Sequence, residues 1–196
     1  IDTKMDIVWT THMRFEKSLL EDQVWQDAKD SGCRYLHFGY ESGNERVLKL
    51  MDKATTTEIM TKHLKYTAEA GIWNHCMGFF GFPGETREEA WSSVEFLEQN
   101  RDYVHSLGFG TFDLGRHNPV AKHPEKFGVT AYKNPEWDLA LDYYFTVKQG
   151  LSIEEAERVF EEFERNHNPG WDLRLFIREY IFLYIARFGL QKLPDL

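Results

Sequence analysis

The sequence predicts an α/β fold: about four parallel strands alternate with helices to form a partial barrel, half of a TIM-like β/α barrel, followed by a C-terminal helical appendage. Three observations predict it. Short runs of β-branched and aromatic residues alternate with amphipathic stretches whose first turns carry cap signals, the pattern of a parallel sheet. The runs recur at the spacing of β/α units in a barrel or an open doubly wound sheet. And 196 residues, 42% of them hydrophobic, suffice for one core with an appendage. Four strands leave a half barrel with two raw sheet edges. Segment 1–115 is therefore read as the C-terminal half of a larger barrel, followed by a loop over 116–133 and the helical appendage over 134–196.

The elements follow in order. Asp6–His12 has the composition of a strand, and Ser18-Leu-Leu-Glu21 forms a capping box for a helix that buries Leu20, Val24 and Ala28 and stops at Gly32. Arg34–Tyr40 is the second strand, and Asn44 caps a short helix bearing Val47, Leu48 and Met51. Thr55-Thr-Thr-Glu58 opens a helix with Met60, Leu64, Thr67 and Ala68 inward and Gly71 at its end. Trp73–Phe80 is the third strand; Thr86-Arg-Glu-Glu89 then boxes a helix burying Ala90, Val94 and Leu97, and Leu107–Leu114 is the fourth strand. In the tail, Asn134-Pro135 opens an aromatic-rich helix (Trp137, Leu141, Tyr144, Phe145) ending at Gly150. Ser152-Ile-Glu-Glu155 opens another, with Ala156, Val159, Phe160 and Phe163. The last helix places Leu173, Phe176, Ile177, Tyr180, Ile181, Tyr184 and Phe188 on one stripe.

Composition removes several function classes. A net charge of −9 argues against a surface built to neutralise phosphates, so duplex nucleic acid is not an expected partner. No apolar run approaches the roughly 18 residues of a membrane span, and Asp2, Asp6 and Glu16 break any signal peptide. Two distant cysteines, Cys33 and Cys76, make neither a disulfide framework nor a zinc site, which places the expected compartment in the reducing cytoplasm. The eight histidines show no zinc spacing, and GxSxG, Walker and GxGxxG motifs are absent. The chain starts at Ile1 without a Met, as a fragment of something longer would.

Chemistry in such folds sits on loops leaving the C-terminal ends of strands. The loop Gly39–Asn44 places Glu41 at a strand mouth beside Ser42; its carboxylate either accepts hydrogen bonds from a diol or ammonium, or merely caps the next helix. The loop Gly81–Thr86 contains Pro83 and Gly84, which either let backbone approach a ligand or form an ordinary tight turn. Arg116 and His117, beyond the fourth strand, are candidates for substrate binding or simply a solvated loop, and Arg14 is an anion clamp or a surface charge.

The stretch Cys33–Lys53, containing Phe38-Gly-Tyr-Glu-Ser-Gly-Asn44, resembles the "fGxESgs..vLk.m.K" block of radical S-adenosylmethionine (SAM) enzymes. Ala70-Gly-Ile72 through Gly81-Phe-Pro-Gly-Glu-Thr86 resembles the "aGi…G.PGET" block that follows it in the same superfamily, in the same order. The resemblance covers residues 5–130. Phe112–Gly128, with Pro119 and Pro124-Glu-Lys-Phe-Gly128, and the tail are similar to the subgroup with an upstream cobalamin-binding domain.

The resemblance implies a β/α barrel that binds a [4Fe–4S] cluster through a CxxxCxxC loop and splits SAM reductively to a 5′-deoxyadenosyl radical. It assigns Glu41 and Ser42 to SAM contact, Gly81 and Pro83 to the adenine side, Arg14 to the neighbourhood of the SAM carboxylate, and cobalamin to the subgroup as a further cofactor. Two departures stand out. Met77 occupies the place of an Asp that related members direct at the ribose, and no CxxxCxxC occurs. A site-differentiated cluster needs three thiolates and the chain has two separated cysteines, so the cluster ligands are expected outside it. The expected partners are a small-molecule substrate and the missing N-terminal half of the same protein. The isolated chain is expected to be inactive, and either to self-associate through its open edges or to cover an edge with its tail. The alternative is a cluster-free barrel that serves as a binding or scaffold module.

Overall fold

A computed structural model describes residues 7–132, 141–166 and 178–188. Four strands, β1 (Trp9–Met13), β2 (Cys33–Glu41), β3 (Trp73–Phe80) and β4 (Ser106–Thr111), lie side by side in chain order and all pair in parallel. β/α crossovers through α1 (Asp22–Asp30), α2 (Glu45–Leu50) with α3 (Thr57–Glu69), and α4 (Arg87–Gln99) connect the strands in that order. The expected half barrel is present.

Period-2 alternation divides the sheet into two faces. On the outer face Leu36, Phe38, Tyr40 and Cys76 meet Trp25, Met60, Leu64, Phe96 and Leu97 of the helices in the main core. The opposite face carries rings instead. His12 stacks on His37 at 4.3 Å, Tyr35 contacts His37 at 4.5 Å, and Trp73 donates from Nε1 to Ser106 Oγ at 2.8 Å. Ile185 of α7 (Arg178–Phe188) is buried against Tyr35 and Trp73 on this face. On the predicted last stripe, Tyr184 is half-buried and Phe188 exposed, whereas Leu173, Phe176 and Ile177 lie outside the described residues. Phe182 and Tyr184 pack beside Ile185 in this contact.

The caps divide into kept and corrected ones. Asn44 accepts from the N–H groups of Arg46 and Val47, and Thr86 and Glu89 close both arms of a capping box. Ser152 and Glu155 likewise bond each other's backbone N–H at the start of α6 (Ile153–Asn166). Ser18 caps nothing. It lies in a 3-10 turn over Lys17–Leu19, and α1 starts at Asp22 after Glu21, because Phe15 is buried and His63 Nε2 holds the Glu16 carbonyl at 2.9 Å. The helix expected from Thr55 is capped one residue later by Thr56, and Glu45 of α2 accepts from both the N–H and the hydroxyl of Thr57 at 2.7 Å.

Beyond β4 the chain departs from the expectation. Leu114 leaves the fourth strand and joins β5 (Leu114–Gly115) in a second, antiparallel sheet of order β5-β7-β6, with β6 (Val129–Tyr132) and β7 (Asp142–Val147). The stretch expected as loop, 116–133, thus contains α5 (Pro119–Lys122), a 3-10 turn over Pro124–Phe127 and the strand β6. The helix start at Asn134-Pro135, with Trp137, lies outside the described residues, but Tyr144 and Phe145 are in a strand. Phe145 is buried, Tyr143 and Val147 pack beside it, and Tyr144 is exposed: an alternation that helical spacing would scramble. Gly150, at φ +90°, ends the bend after this strand instead of a helix. This small sheet packs on Val47, Phe82 and Phe112 at the C-terminal end of the main one, and α6 covers the outer faces of β3 and β4 through Val159 and Phe163.

Candidate functional site

The loops after β2 and β3 emerge from adjacent parallel strands and are fastened to each other. Arg46, in α2, donates two hydrogen bonds to the Glu89 carboxylate and one to the Gly84 carbonyl. Ser93, in α4, accepts from the Gly43 N–H at 2.9 Å, and its carbonyl accepts from the Tyr40 hydroxyl at 2.7 Å. The guanidinium holds the Glu89 carboxyl below the usual carboxylate range.

Glu41 stands at the β2 mouth. The pairing of β2 with β3 slips between Gly39 and Glu41, and Glu41 takes a left-handed φ of +62°. Its side chain lies over Gly39 at the strand mouth. Its Oε1 accepts from Lys53 Nζ at 2.8 Å, with both side chains about a quarter exposed. A Cβ on Gly39 would come within 3.0 Å of that oxygen, so the bare backbone there makes room for the carboxylate. Arg14, Gly39, Tyr40, Lys53 and Thr55 line a cleft of about 30 Å³. That is room for about one water. Thr55 Oγ1 is buried without a hydrogen-bond partner there.

Sequence reasoning missed Lys53, although it quoted the residue at the end of a motif; the signal was its place two residues after Met51, where the chain must turn back. Ser42, expected beside Glu41, is fully buried: its hydroxyl meets Ser93 Oγ at 3.0 Å and accepts from the Asn44 N–H. That assigns Ser42 to holding the loop.

The β3 turn is more enclosed than its sequence suggests. Gly81 and Pro83 are both buried. Glu85 is fully buried beneath the turn, and its Oε2 accepts from the Gly81 N–H at 2.6 Å. Burial pushes the Glu85 carboxyl up to about 7 despite that bond. The Thr86 N–H is taken by Glu89. These donors serve the fold, so the turn offers a ligand shape and apolar surface in place of free N–H groups. Gly81 and Pro83 therefore adjoin the Glu41 mouth without lining the small cleft. Arg116 and His117 lie beside the second sheet, where the Arg116 N–H bonds the Leu141 carbonyl at 2.9 Å and His117 is exposed. Neither is among the cleft residues.

The residues suit one of the two implied groups. Arg14, Lys53 and the Thr55 hydroxyl at the cleft, with Glu41 bonded to Lys53 beside it, are a donor set of the kind a polar, zwitterionic ligand such as SAM needs. An iron–sulfur cluster does not fit. Cys33 and Cys76 are buried, with Cys33 raised to about 11 by burial and Cys76 also raised, and no trio of His, Cys, Asp or Glu converges among the described residues.

Residues 4–97 match the family model described as the Radical SAM superfamily. The chain is 32% identical over 97 residues, 48% of its length and 20% of the relative's, to an uncharacterized methyltransferase of Pyrococcus horikoshii. It is 26% identical over 181 residues, covering 86% of itself and 33% of the relative, to cytidylyl-2-hydroxyethylphosphonate methyltransferase of Streptomyces wedmorensis. Its fold superposes with a TM-score of 0.53 on the radical SAM methyltransferase TsrM of Kitasatospora setae, solved with cobalamin and a [4Fe-4S] cluster bound, at 18% identity over 77% of this chain and 30% of that one. The chain thus spans a fifth to a third of these relatives.

Proposed function

We propose that the chain, whose residues 4–97 match the Radical SAM superfamily model, is the C-terminal part of the barrel of a radical SAM enzyme, of the methyl-transferring kind. The observation that carries the reading is the Glu41 mouth: a carboxylate on left-handed backbone at a break in register, paired with Lys53 at the C-terminal end of a parallel strand. Glu41 and Arg14 would hold the polar end and ribose of SAM, while the buried turn at Gly81 and Pro83 gives the neighbouring wall its shape. When bound, SAM supplies the adenosyl or methyl chemistry. This chain's residues bind and orient it and, through the small sheet packed on Val47 and Phe82, exclude water. Cluster ligands belong to residues outside this chain. Methyl transfer and cobalamin are supported by the methyltransferase relatives and by cobalamin in TsrM. A cytoplasmic location is part of the same proposal; no described helix is long and apolar enough to cross a membrane.

The test uses the complete protein, reconstituted anaerobically with iron and sulfide and given SAM and a reductant. The expected result is cluster absorbance together with 5′-deoxyadenosine or methylated product, and Glu41→Gln should keep the absorbance and lose the product. A complete protein with neither cluster nor SAM turnover would favour a cluster-free binding module instead.

A further inference from the structure

The face of the main sheet away from its helices is the interior face of the barrel, and its side chains stand in rows from the N-terminal ends of the strands to their mouths. The register gives the rows. Tyr35 beside Trp73 is the lowest; His12, His37, His75 and Ser106 come next; Gly39, Met77 and Gly108 lie above them, below the Glu41 mouth. The two lower rows are tied together, since Ser106 Oγ accepts from Trp73 Nε1 at 2.8 Å and lies 2.7 Å from His75 Nδ1. In a half barrel this face would be open to water. Yet Tyr35, Trp73, His37 and His75 are each at most 6% exposed, whereas Gly39, Met77 and Gly108 are half-buried. The element seated on the lowest row is α7, whose Ile185 is buried against Tyr35 and Trp73 with Phe182 and Tyr184 beside it.

We propose that α7 is a floor plug: in the complete enzyme it closes the N-terminal end of the barrel interior, so that the ligand chamber reaches no deeper than the imidazole row and opens toward the strand mouths. A closed TIM-like barrel fills its interior with side chains and has no room for a helix about 10 Å across. A helix on the lowest row therefore marks the end of that interior. Glu41 lies six residues beyond Tyr35 in β2, about 20 Å at the rise of a strand, so the plug leaves the mouth clear. The row above the imidazoles is nearly bare, with Met77 between two glycines, and at Gly110 a Cβ would meet nothing within 4 Å. His75 leans into the Gly108 position, where its Nε2 would lie 2.9 Å from a Cβ, and with His37 it forms the chamber floor. This inference rests on the reading that the chain is part of a radical SAM barrel with its ligand at the Glu41 mouth.

The experiment is histidine footprinting of the complete protein with diethyl pyrocarbonate, which carbethoxylates accessible imidazoles, under anaerobic conditions and read peptide by peptide by mass spectrometry. The samples are wild type, Ile185→Asp and Leu183→Asp, the last being an exposed position on the same helix. In wild type His37 and His75 should react at least about tenfold more slowly than the exposed His117 and His123. Ile185→Asp puts an unpaired charge into the contact and should raise both rates about tenfold, while Leu183→Asp should leave them unchanged. Equal protection in wild type and Ile185→Asp would overturn the inference, since another part of the protein would then cover the row. Wild-type His37 and His75 as reactive as His117 would overturn it too. If thermal melts show that Ile185→Asp does not fold, a photoreactive benzoylphenylalanine in place of Phe182 decides: crosslinks should fall on the peptides holding Tyr35 or Trp73, and crosslinks elsewhere would overturn the inference. SAM titrated into the same samples should bind wild type and Ile185→Asp within about twofold, because the two sites are far apart. SAM binding with an unprotected imidazole row sinks the plug alone; a protected row in a protein that binds no SAM sinks the site reading, and the chamber falls with it.

Discussion

Burial and backbone hydrogen bonding act in opposite senses on the carboxyl of Glu85, and burial wins: the group is held up at about 7 against an ordinary 4.5. Below pH 4.5 folded and unfolded chains both carry the proton and the group is neutral in the balance. As the pH rises toward 7 the unfolded chain releases its proton while the folded one keeps it, so stability falls through that window and levels off above it. The loss is on the order of 3 kcal/mol. Glu85→Gln keeps an oxygen for the Gly81 N–H and removes the titration; urea melts should then lose this component of their slope between pH 5 and 7. Equal slopes for both proteins would contradict the account. In sequence Glu85 is one letter of a turn motif. Its burial follows from Gly150 and Leu151, 65 residues away, whose backbone closes on it. Glu41, by contrast, was legible as a carboxylate at a strand mouth; its ion pair with Lys53 was not, because that depends on how the chain turns after α2.

Helix starts were legible where the cap is local. Thr86 and Glu89 need only three residues of chain to satisfy each other, and Thr86→Ala should destabilise the protein by about 1 kcal/mol in thermal or urea unfolding. Ser18 carried the same letters and failed, because the burial of Phe15 shapes the chain before the box can form. Asp142–Val147 failed differently: aromatic residues at both period-2 and helical spacings left the pattern ambiguous, and pairing with β5 and β6 decided it. Packing between elements is tight at Gly81, where φ is +85° and a Cβ would lie 2.5 Å from that of Ala156 in α6. Gly81→Ala should cost at least about 2 kcal/mol from strain and overpacking together. Adding Ala156→Gly should recover only the overpacking part, since the left-handed backbone remains; full recovery would show that the turn is not strained.

For the molecule as a whole, the half barrel was legible because strand and helix signals are local and repeat. What closes its ends was not, because both the second sheet and the Ile185 contact depend on distant segments meeting. β1 is an edge strand of the main sheet, with Thr10, Thr11 and His12 exposed. Such an edge invites pairing with another strand, which in the proposed complete enzyme is supplied by the preceding half of the barrel. The isolated chain should therefore show concentration-dependent association in sedimentation velocity, reduced by Thr11→Lys; a strict monomer at every concentration would contradict this. The central claim is that Glu41 and the turn at Pro83 form adjoining walls around an adenosyl ligand. A crystal structure of the complete protein with SAM tests it most directly. The account predicts a ribose hydroxyl or the amino group of SAM within hydrogen-bond distance of Glu41 and the adenine alongside Pro83. SAM bound away from the β2 and β3 mouths would contradict it.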